Sequence, residues 1–206
     1  LVLISSCDKN VPAHLLAAAR LDLPAILVPG GPMLAGRYQQ KDVIITDLDI
    51  ETWACGLGKP RLDPDAMAEL EDAVCPTAGA CALLGTANTM QCLAEAVGLA
   101  LPGSATAPAV SSQRLWCAKQ AGRRIVDLVR EDLRPSEIMT RPALENMIRV
   151  LHAIGGSTNA VIHILALAQE LDLEDSITLE TIEKLSTEIF CIVNVRPSGA
   201  YTMADF

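Results

Sequence analysis

Three adjacent side chains near the start of the chain have the chemistry to bind two kinds of metal ion. Cys7, Asp8 and Lys9 follow an apolar, strand-like run at 1–5 and precede a helix-like segment with Pro12 at its start. Ligands bind at the carboxyl ends of the strands in an open parallel sheet. A thiolate, a carboxylate and an amine at that edge cover soft-metal, hard-metal and base chemistry. An ordinary ion pair beside a buried thiol is the alternative interpretation.

A second candidate is the segment that runs from Cys75 to Cys81. The spacing of these cysteines is wider than the about two to four intervening residues typical of zinc ligands. Cys81 shortly precedes Gly85 and Thr86, where a helix is predicted to begin, and the positive end of a helix favours a thiolate. The alternative is a small residue packed in a tight turn.

A third candidate is the loop at 155–159, which reads Gly-Gly-Ser-Thr-Asn and opens onto a predicted helix. The glycines allow the backbone to approach a ligand, and free N–H groups at a helix start bind carboxylate or phosphate. Ser157, Thr158 and Asn159 are therefore candidate substrate-binding residues, although a plain capped helix start explains the same pattern. The histidines are scattered and show no metal-ligand spacing, so we interpret them as structural.

The elements expected to position these residues begin with a strand at 1–5, a helix at 13–21 and a strand at 25–28. This order predicts a βαβ unit and hence a parallel sheet with right-handed crossovers. The expected fold is α/β, a parallel sheet flanked by helices in three αβα layers. Further helices are predicted over 64–74, 86–100, 111–129, 142–154, 160–171 and 178–186, and further strands over 43–45 and 189–195.

The composition restricts the class of protein. The chain has 206 residues, enough for one sizeable domain, and its net charge of −9 argues against a nucleic-acid partner. No apolar run reaches the about 18 residues that span a bilayer, so no membrane partner is expected. Seven cysteines, an odd number, argue against a secreted disulfide scaffold and favour a cytoplasmic location. The chain starts within a predicted strand and ends without a cap, so we expect both ends to be truncation points.

Taken together, the segments resemble the family of dihydroxy-acid dehydratase, 6-phosphogluconate dehydratase and the sugar-acid dehydratases. The resemblance covers most of the chain and rests on six motifs in sequence order. They are Ser-Cys-Asp-Lys at 6–9, Gly-Gly-Pro-Met at 30–33, Gly-Thr-Ala-Asn-Thr-Met at 85–90, Leu-Pro-Gly-Ser at 101–104, Glu-Asn at 145–146 and Gly-Gly-Ser-Thr-Asn at 155–159.

The resemblance implies two metal centres that share one loop. Cys7 and Cys81 match cysteines that ligate a [2Fe–2S] cluster, with a [4Fe–4S] cluster as the alternative. Asp8 matches a Mg²⁺ ligand, and Lys9 matches a lysine that is carbamylated in several members and then also binds Mg²⁺. Cys75 is not implied to be a ligand.

The resemblance also implies that several functional parts lie outside this chain. A third cluster cysteine and a further Mg²⁺-binding aspartate lie upstream of residue 1, while a C-terminal domain supplies a glutamate ligand and the serine base. The chain is thus expected to be a truncated N-terminal domain of a two-domain, homodimeric enzyme, inactive by itself.

The implied reaction is the dehydration of a 2,3-dihydroxy carboxylic acid to a 2-keto acid. An open cluster iron would act as a Lewis acid on the C3 hydroxyl, while Mg²⁺ would chelate the carboxylate and the C2 hydroxyl. Two substrate classes stay open, a branched-chain amino-acid precursor such as 2,3-dihydroxy-isovalerate and a sugar acid such as an aldonate or a phosphogluconate.

Two other classes of protein are alternatives to a dehydratase. A non-catalytic α/β binding module with buried thiols predicts that Cys7 and Cys81 lie apart and that Asp8 pairs with Lys9. A thiol-based redox protein is disfavoured because the chain has no Cys-x-x-Cys pair.

Overall fold

The computed structural model describes residues 1–206 and opens with the predicted βαβ unit. Strand β1 (Val2–Ser5) and strand β2 (Ile26–Pro29) run parallel, with Val2 opposite Ile26, and helix α1 (Asn10–Leu21) connects them. The prediction of a parallel pair with a helical crossover is therefore confirmed. The turn at residues 6–9 leaves the carboxyl end of β1, which is the edge where ligands bind in such sheets.

The remaining elements are mostly helical. They are β3 (Gly36–Tyr38), β4 (Lys41–Val43), α2 (Ile45–Gly56), α3 (Pro64–Ala73), α4 (Thr86–Ala96), α5 (Ser112–Glu131), α6 (Pro135–Ile138), α7 (Arg141–Ala153), α8 (Asn159–Glu170) and α9 (Leu179–Ser186). Strands β3 and β4 form an antiparallel hairpin separate from the β1–β2 sheet. None of the helices combines the length and apolar character required to span a lipid bilayer.

Strand β2 is covered on both sides because its side chains alternate between the two faces. Leu27 belongs to the main apolar core, which α1, α4, α7, α8 and α9 complete. Ile26 and Val28 point the other way and pack against Ala121 and Leu128 of α5. The all-apolar sequence of this strand follows from burial on both faces.

The parallel sheet is smaller than the sheet of a typical three-layer αβα fold. It contains two strands, extended by a parallel bridge between Leu27 and Ala100, in which the Leu27 N–H donates to the Leu99 carbonyl at 2.8 Å. The domain is thus a helix-rich α/β unit with a small parallel sheet, and helices pack on both of its faces.

Helix α4 ends earlier than its apolar periodicity predicted. It stops at Ala96 rather than at residue 100, because Gly98 has a φ of +93° and turns the chain toward the sheet. Ala100 then bridges to β2 as an extended residue. The apolar side chains beyond Ala96 face the same core from a non-helical backbone.

Two predicted strands were placed wrongly. The strand predicted at 43–45 is β4, but it ends at Val43, and Ile45 begins α2, a helix that the sequence analysis did not predict. The Asp47 carboxylate accepts from the Ile44 N–H at 2.8 Å and thereby fixes this helix start.

The strand predicted at 189–195 does not form. Its backbone instead bonds to a helix end, where the Ile192 N–H donates to the Ala153 carbonyl at 2.9 Å. Only Val195 enters a bridge, with Tyr201. The apolar pattern is buried only in part, since Phe190 and Ile192 are both more than 80% exposed whereas Val195 packs in a small apolar cluster.

Candidate functional site

The turn after β1 presents Cys7, Asp8 and Lys9 to solvent. Asn10, the first residue of α1, holds the turn because its Oδ1 accepts hydrogen bonds from the Cys7 N–H at 2.8 Å and the Ser6 N–H at 3.2 Å. A short amide side chain that bonds to preceding backbone groups is a common way to fix such a turn. The three candidate side chains therefore project from a fixed backbone at the carboxyl end of the strand.

Asp8 lies between its two neighbours. Its Oδ1 accepts from the Cys7 thiol at 3.5 Å, and its Oδ2 accepts from the Lys9 ammonium at 2.7 Å. The hydrogen bond from Lys9 is the main reason why the pKa of Asp8 lies below its ordinary value.

The Asp8–Lys9 pair is the arrangement predicted for a non-catalytic module. The pair is exposed, however, with 72% of the Lys9 side chain and 42% of the Asp8 side chain accessible to solvent. Ion pairs of this kind are worth about 0–1 kcal/mol. The pairing therefore presents little obstacle to a cation that binds the Asp8 carboxylate more strongly.

Cys81 lies in the loop before α4, near Cys7 and Asp8. Burial raises the pKa of its thiol, and the charges of Cys75, Cys7 and Asp8 raise it further. The thiol nevertheless reaches solvent. The predicted stabilisation of a thiolate by the helix start is thus outweighed by burial and by the neighbouring charges.

Helix α4 contacts the loop at 155–159 through its first two turns. The hydroxyl groups of Thr86 and Ser157 are 2.8 Å apart, and the Asn159 side-chain amide donates to the Thr86 hydroxyl at 3.2 Å. The Ser157 N–H donates to the Thr89 hydroxyl at 3.0 Å. The side chains of Ser157 and Asn159 therefore dock α8 onto α4. No hydrogen bond of the Thr158 side chain accompanies them.

His163 lies one turn into α8 and faces the Asp8–Lys9 turn. Burial lowers the pKa of His163, the Lys9 charge lowers it further, and the Asp8 charge opposes these effects. His163 was predicted to be structural, and no local sequence pattern places it near Asp8.

The predicted residues thus gather around the N-terminal half of α4. Three segments form hydrogen bonds with this helix: the turn at 6–9, the loop at 75–85 and the loop at 155–159. No group of three or more His, Cys, Asp or Glu side chains is close enough to hold a metal ion. Charges interact over about 10 Å. The groups that shift the pKa of Cys81 are therefore its neighbours, but they are not close enough together to form a complete set of metal ligands.

Three polar residues that organise this region were not predicted as functional residues, although two of them lie in the motif at 85–90. Asn88, Thr89 and Gln91 are each at most 1% exposed, although they lie on a helix that is otherwise apolar on its buried face. Asn88 bonds to the Cys81 carbonyl, and Gln91 bonds to the Ser6 carbonyl. Their polar character in an apolar helix was the available signal, because buried amides require hydrogen-bond partners.

Comparison with known proteins places the whole chain in one sequence family. Residues 1–206 match the family described as "Dihydroxy-acid/6-phosphogluconate dehydratase N-terminal". The resemblance inferred from the six motifs is therefore confirmed, and it extends over the full chain rather than most of it.

Individual relatives agree with this match. The chain is 46% identical over 205 residues to a protein of Methanothrix thermoacetophila named dihydroxy-acid dehydratase, and 46% identical over 206 residues to a protein of that name from Desulfosudis oleivorans. A protein of the same name from Moorella thermoacetica is 44% identical over 205 residues. Each comparison covers 100% of this chain but only 36–37% of the relative, so the chain spans just over a third of their length.

Proposed function

Because this chain belongs to the dihydroxy-acid/6-phosphogluconate dehydratase family, matching its N-terminal region, we propose that the complete protein is a hydro-lyase. It removes water from a 2,3-dihydroxy carboxylic acid and releases a 2-keto acid. The observation that carries the proposal is the meeting of the Cys7-Asp8-Lys9 turn and the Cys81 loop at α4. Both loops carry side chains with the donor atoms that this chemistry requires.

The donors fit two different metals. Cys7 and Cys81 are accessible thiols, suited to the iron of a [2Fe–2S] cluster, or of a [4Fe–4S] cluster as the alternative. Asp8 offers a carboxylate suited to Mg²⁺. When bound, the cluster and Mg²⁺ would supply Lewis acidity toward the hydroxyl and carboxylate oxygens of the substrate.

Lys9 has a conditional role in this proposal. As an ammonium group it neutralises Asp8 at 2.7 Å and would repel Mg²⁺. Carbamylation would convert it into an anionic oxygen donor on the same turn. Its exposed position leaves the Nζ atom accessible for this modification.

We propose that the loop at 155–159 holds the substrate carboxylate through the Thr158 N–H, because the other backbone N–H groups of this loop already donate within the domain. The side chains of Ser157 and Asn159 support this role indirectly, since their bonds to Thr86 fix the loop beside the Cys81 loop. Thr158 is the third residue of this loop that we propose as a substrate-binding residue.

The branched-chain type of 2,3-dihydroxy acid is the favoured substrate class. The relatives described above are named dihydroxy-acid dehydratases, and none of the three carries the name of a sugar-acid enzyme. For the complete protein we further propose a wider three-layer αβα domain, a C-terminal domain, a cytoplasmic location and a homodimer. The length of the relatives leaves room for the wider sheet and the second domain.

The proposal is tested on the complete protein purified without oxygen. Iron, acid-labile sulfide and the visible spectrum are measured for the wild type and for Cys7→Ser, Cys81→Ser and Cys75→Ser. Both ligand variants should lose iron and sulfide, whereas Cys75→Ser is the matched control and should keep them. An Asp8→Asn variant should keep iron but require more Mg²⁺ for 2-keto acid formation.

Substrate class is tested with the same preparations. The wild type should form 2-keto acid from 2,3-dihydroxy-isovalerate faster than from an aldonate. A wild type that stays colourless and iron-free after reconstitution would reject the metal assignment in favour of the binding module.

A further inference from the structure

Two buried side-chain amides on α4 link the loops that carry Cys7 and Cys81. Asn88 and Gln91 lie one helical turn apart and are 1% and 0% exposed. The Gln91 Nε2 donates to the Asn88 Oδ1 at 3.2 Å, so that the two amides form one hydrogen-bonded unit. This unit lies between the two loops and contacts the backbone of both.

The Gln91 end of the unit fixes the turn after β1. Its Nε2 donates to the carbonyl of Ser6, the residue before Cys7, at 3.2 Å. Its Oε1 accepts from the Gly31 N–H, after β2, at 2.7 Å. Gln91 therefore ties together the ends of both parallel strands, and one of these ends leads directly into Cys7.

The Asn88 end fixes the other cysteine. Its Nδ2 donates to the carbonyl of Cys81 at 2.6 Å and to the carbonyl of Leu83 at 2.8 Å. With the bond from Gln91, both N–H groups of each amide are in use. Rotating either amide by half a turn would place its oxygen against carbonyl oxygens, so the orientation of each side chain is determined.

An apolar residue could fill either position without needing hydrogen-bond partners. A buried amide, in contrast, destabilises the fold unless all its hydrogen bonds are made. The bonds made here are all to loop backbone or to each other, and the loops they hold contain the two thiols. A helix is a rigid spacer, and two residues three positions apart are separated by about 4.5 Å along its axis. The unit therefore defines the separation of the two loops.

We propose that Asn88 and Gln91 are positioning residues that set the separation of Cys7 and Cys81 and thereby control assembly and retention of the iron–sulfur cluster. The inference rests on the proposed function for its cluster, but its geometric part concerns the thiols alone. Residues that orient metal ligands typically change metal affinity by about 10–100-fold when substituted.

The first test measures the cluster. Gln91→Met and Asn88→Leu keep the approximate size of each side chain and remove its hydrogen bonds. In the complete protein we expect each to release iron to a chelator about 10-fold faster or more than the wild type. Asn88→Leu tests the same hydrogen-bonded unit from its other end if Gln91→Met does not fold.

The matched control is Glu95→Ala on the same helix. The Glu95 carboxylate accepts from the Gly103 N–H at 2.7 Å and the Ala105 N–H at 2.9 Å, so that the substitution also removes bonds from α4 to loop backbone. These bonds do not reach either cysteine loop. Iron release from Glu95→Ala should stay within about twofold of the wild type at a comparable loss of thermal stability.

The second test needs no metal. The metal-free complete protein is treated with a short bifunctional thiol reagent after every accessible cysteine other than Cys7 and Cys81, among them Cys55, Cys75 and Cys191, has been replaced by serine. The rate at which Cys7 and Cys81 are cross-linked should fall at least about 10-fold in the amide variants but not in Glu95→Ala. Cross-linking unchanged by both amide variants, or iron release no faster than in Glu95→Ala, would overturn the inference.

The two tests separate the inference from the function on which it rests. A wild type without iron, together with slowed cross-linking in the variants, would reject the proposed function and leave the positioning role standing for the thiols. A wild type with iron, together with variants that match the control in both assays, would reject the positioning role alone.

Discussion

Substitution of Gly156 by alanine tests how tightly the substrate-side loop is docked on α4. A Cβ atom added at Gly156 would lie 2.7 Å from the Thr89 Cγ2 and 2.8 Å from the Leu151 Cδ1. Favourable carbon–carbon contacts lie at about 3.5–4.0 Å. Thr89 and Leu151 are 0% and 4% exposed, so neither can move into solvent to relieve the contact.

The expected cost follows from these contacts. Overpacking a well-filled site destabilises by about 1–3 kcal/mol, while replacing glycine by alanine restores about 0.4–1 kcal/mol through the unfolded chain. The net loss for Gly156→Ala is therefore about 0–2.6 kcal/mol, centred near 1.3 kcal/mol. At about 2–4 °C per kcal/mol for a domain of this size, the central value lowers the melting temperature by about 3–5 °C.

The assay is thermal unfolding of the complete protein, with Gly122→Ala as the control. Gly122 lies inside α5, and a Cβ added there would meet nothing within 4 Å. That substitution should stabilise the helix by about 0.5–1 kcal/mol. Adding Thr89→Ser to Gly156→Ala should recover part of the loss, because it removes the clashing methyl group and keeps the hydroxyl that accepts from Ser157.

One result would refute this reasoning. If Gly156→Ala raised the melting temperature as Gly122→Ala does, the loop at 155–159 would not be packed against Thr89 as described. The docking of α8 beside the cysteine loops would then lose its support.

Three further predictions concern other parts of the domain. Burial raises the pKa of Cys92 to about 12, so Cys92 should resist alkylation at pH 8 in metal-free protein while Cys81 reacts, as measured by peptide mass spectrometry. The hydrogen bond from Arg20 lowers the pKa of Glu170 below its ordinary 4.5. Glu170 therefore stabilises the fold above that pH and loses its effect as the pH falls through the lowered pKa, so that Glu170→Gln should weaken the acid dependence of unfolding. Ser111 caps α5 by accepting from a backbone N–H at 3.2 Å, and Ser111→Ala should cost about 0.5–2 kcal/mol in denaturant unfolding.

Each of these predictions has a contradicting outcome. Alkylation of Cys92 as fast as Cys81 would place its thiol in contact with water. Equal acid dependence of the wild type and Glu170→Gln would show that the Arg20 pair does not form in solution. An unchanged unfolding midpoint for Ser111→Ala would show that the cap is not used.

Local sequence patterns predicted the elements whose signals are local. The βαβ unit and helices α3, α5, α7, α8 and α9 were predicted from apolar periodicity, proline positions and capping residues, all of which act within a few residues. Thr178, for example, accepts from the Thr181 N–H at 3.3 Å and begins α9 where the pattern indicated.

The errors occurred where packing overrides the local pattern. The strand predicted at 189–195 has suitable apolar residues but no neighbouring strand, and the Ile192 N–H bonds to the end of α7 instead. The β3–β4 hairpin turns through Gln39 and Gln40, which both have a positive φ. This turn could not be predicted from the sequence, because Asn and Gly are the usual residues at such positions.

The sequence by itself determined which chemical groups are available and that Cys7, Asp8 and Lys9 share one turn, because neighbours in the chain need no folding to be close. Only the tertiary structure decided which distant residues join them. Gln91 bonds to Ser6 across 85 positions, and the pKa of Cys81 responds to Cys7 and Asp8 because packing brings their loops to the same helix. Hydrogen-bond partners of buried amides are chosen by the packing of the whole domain, so no local pattern can specify them.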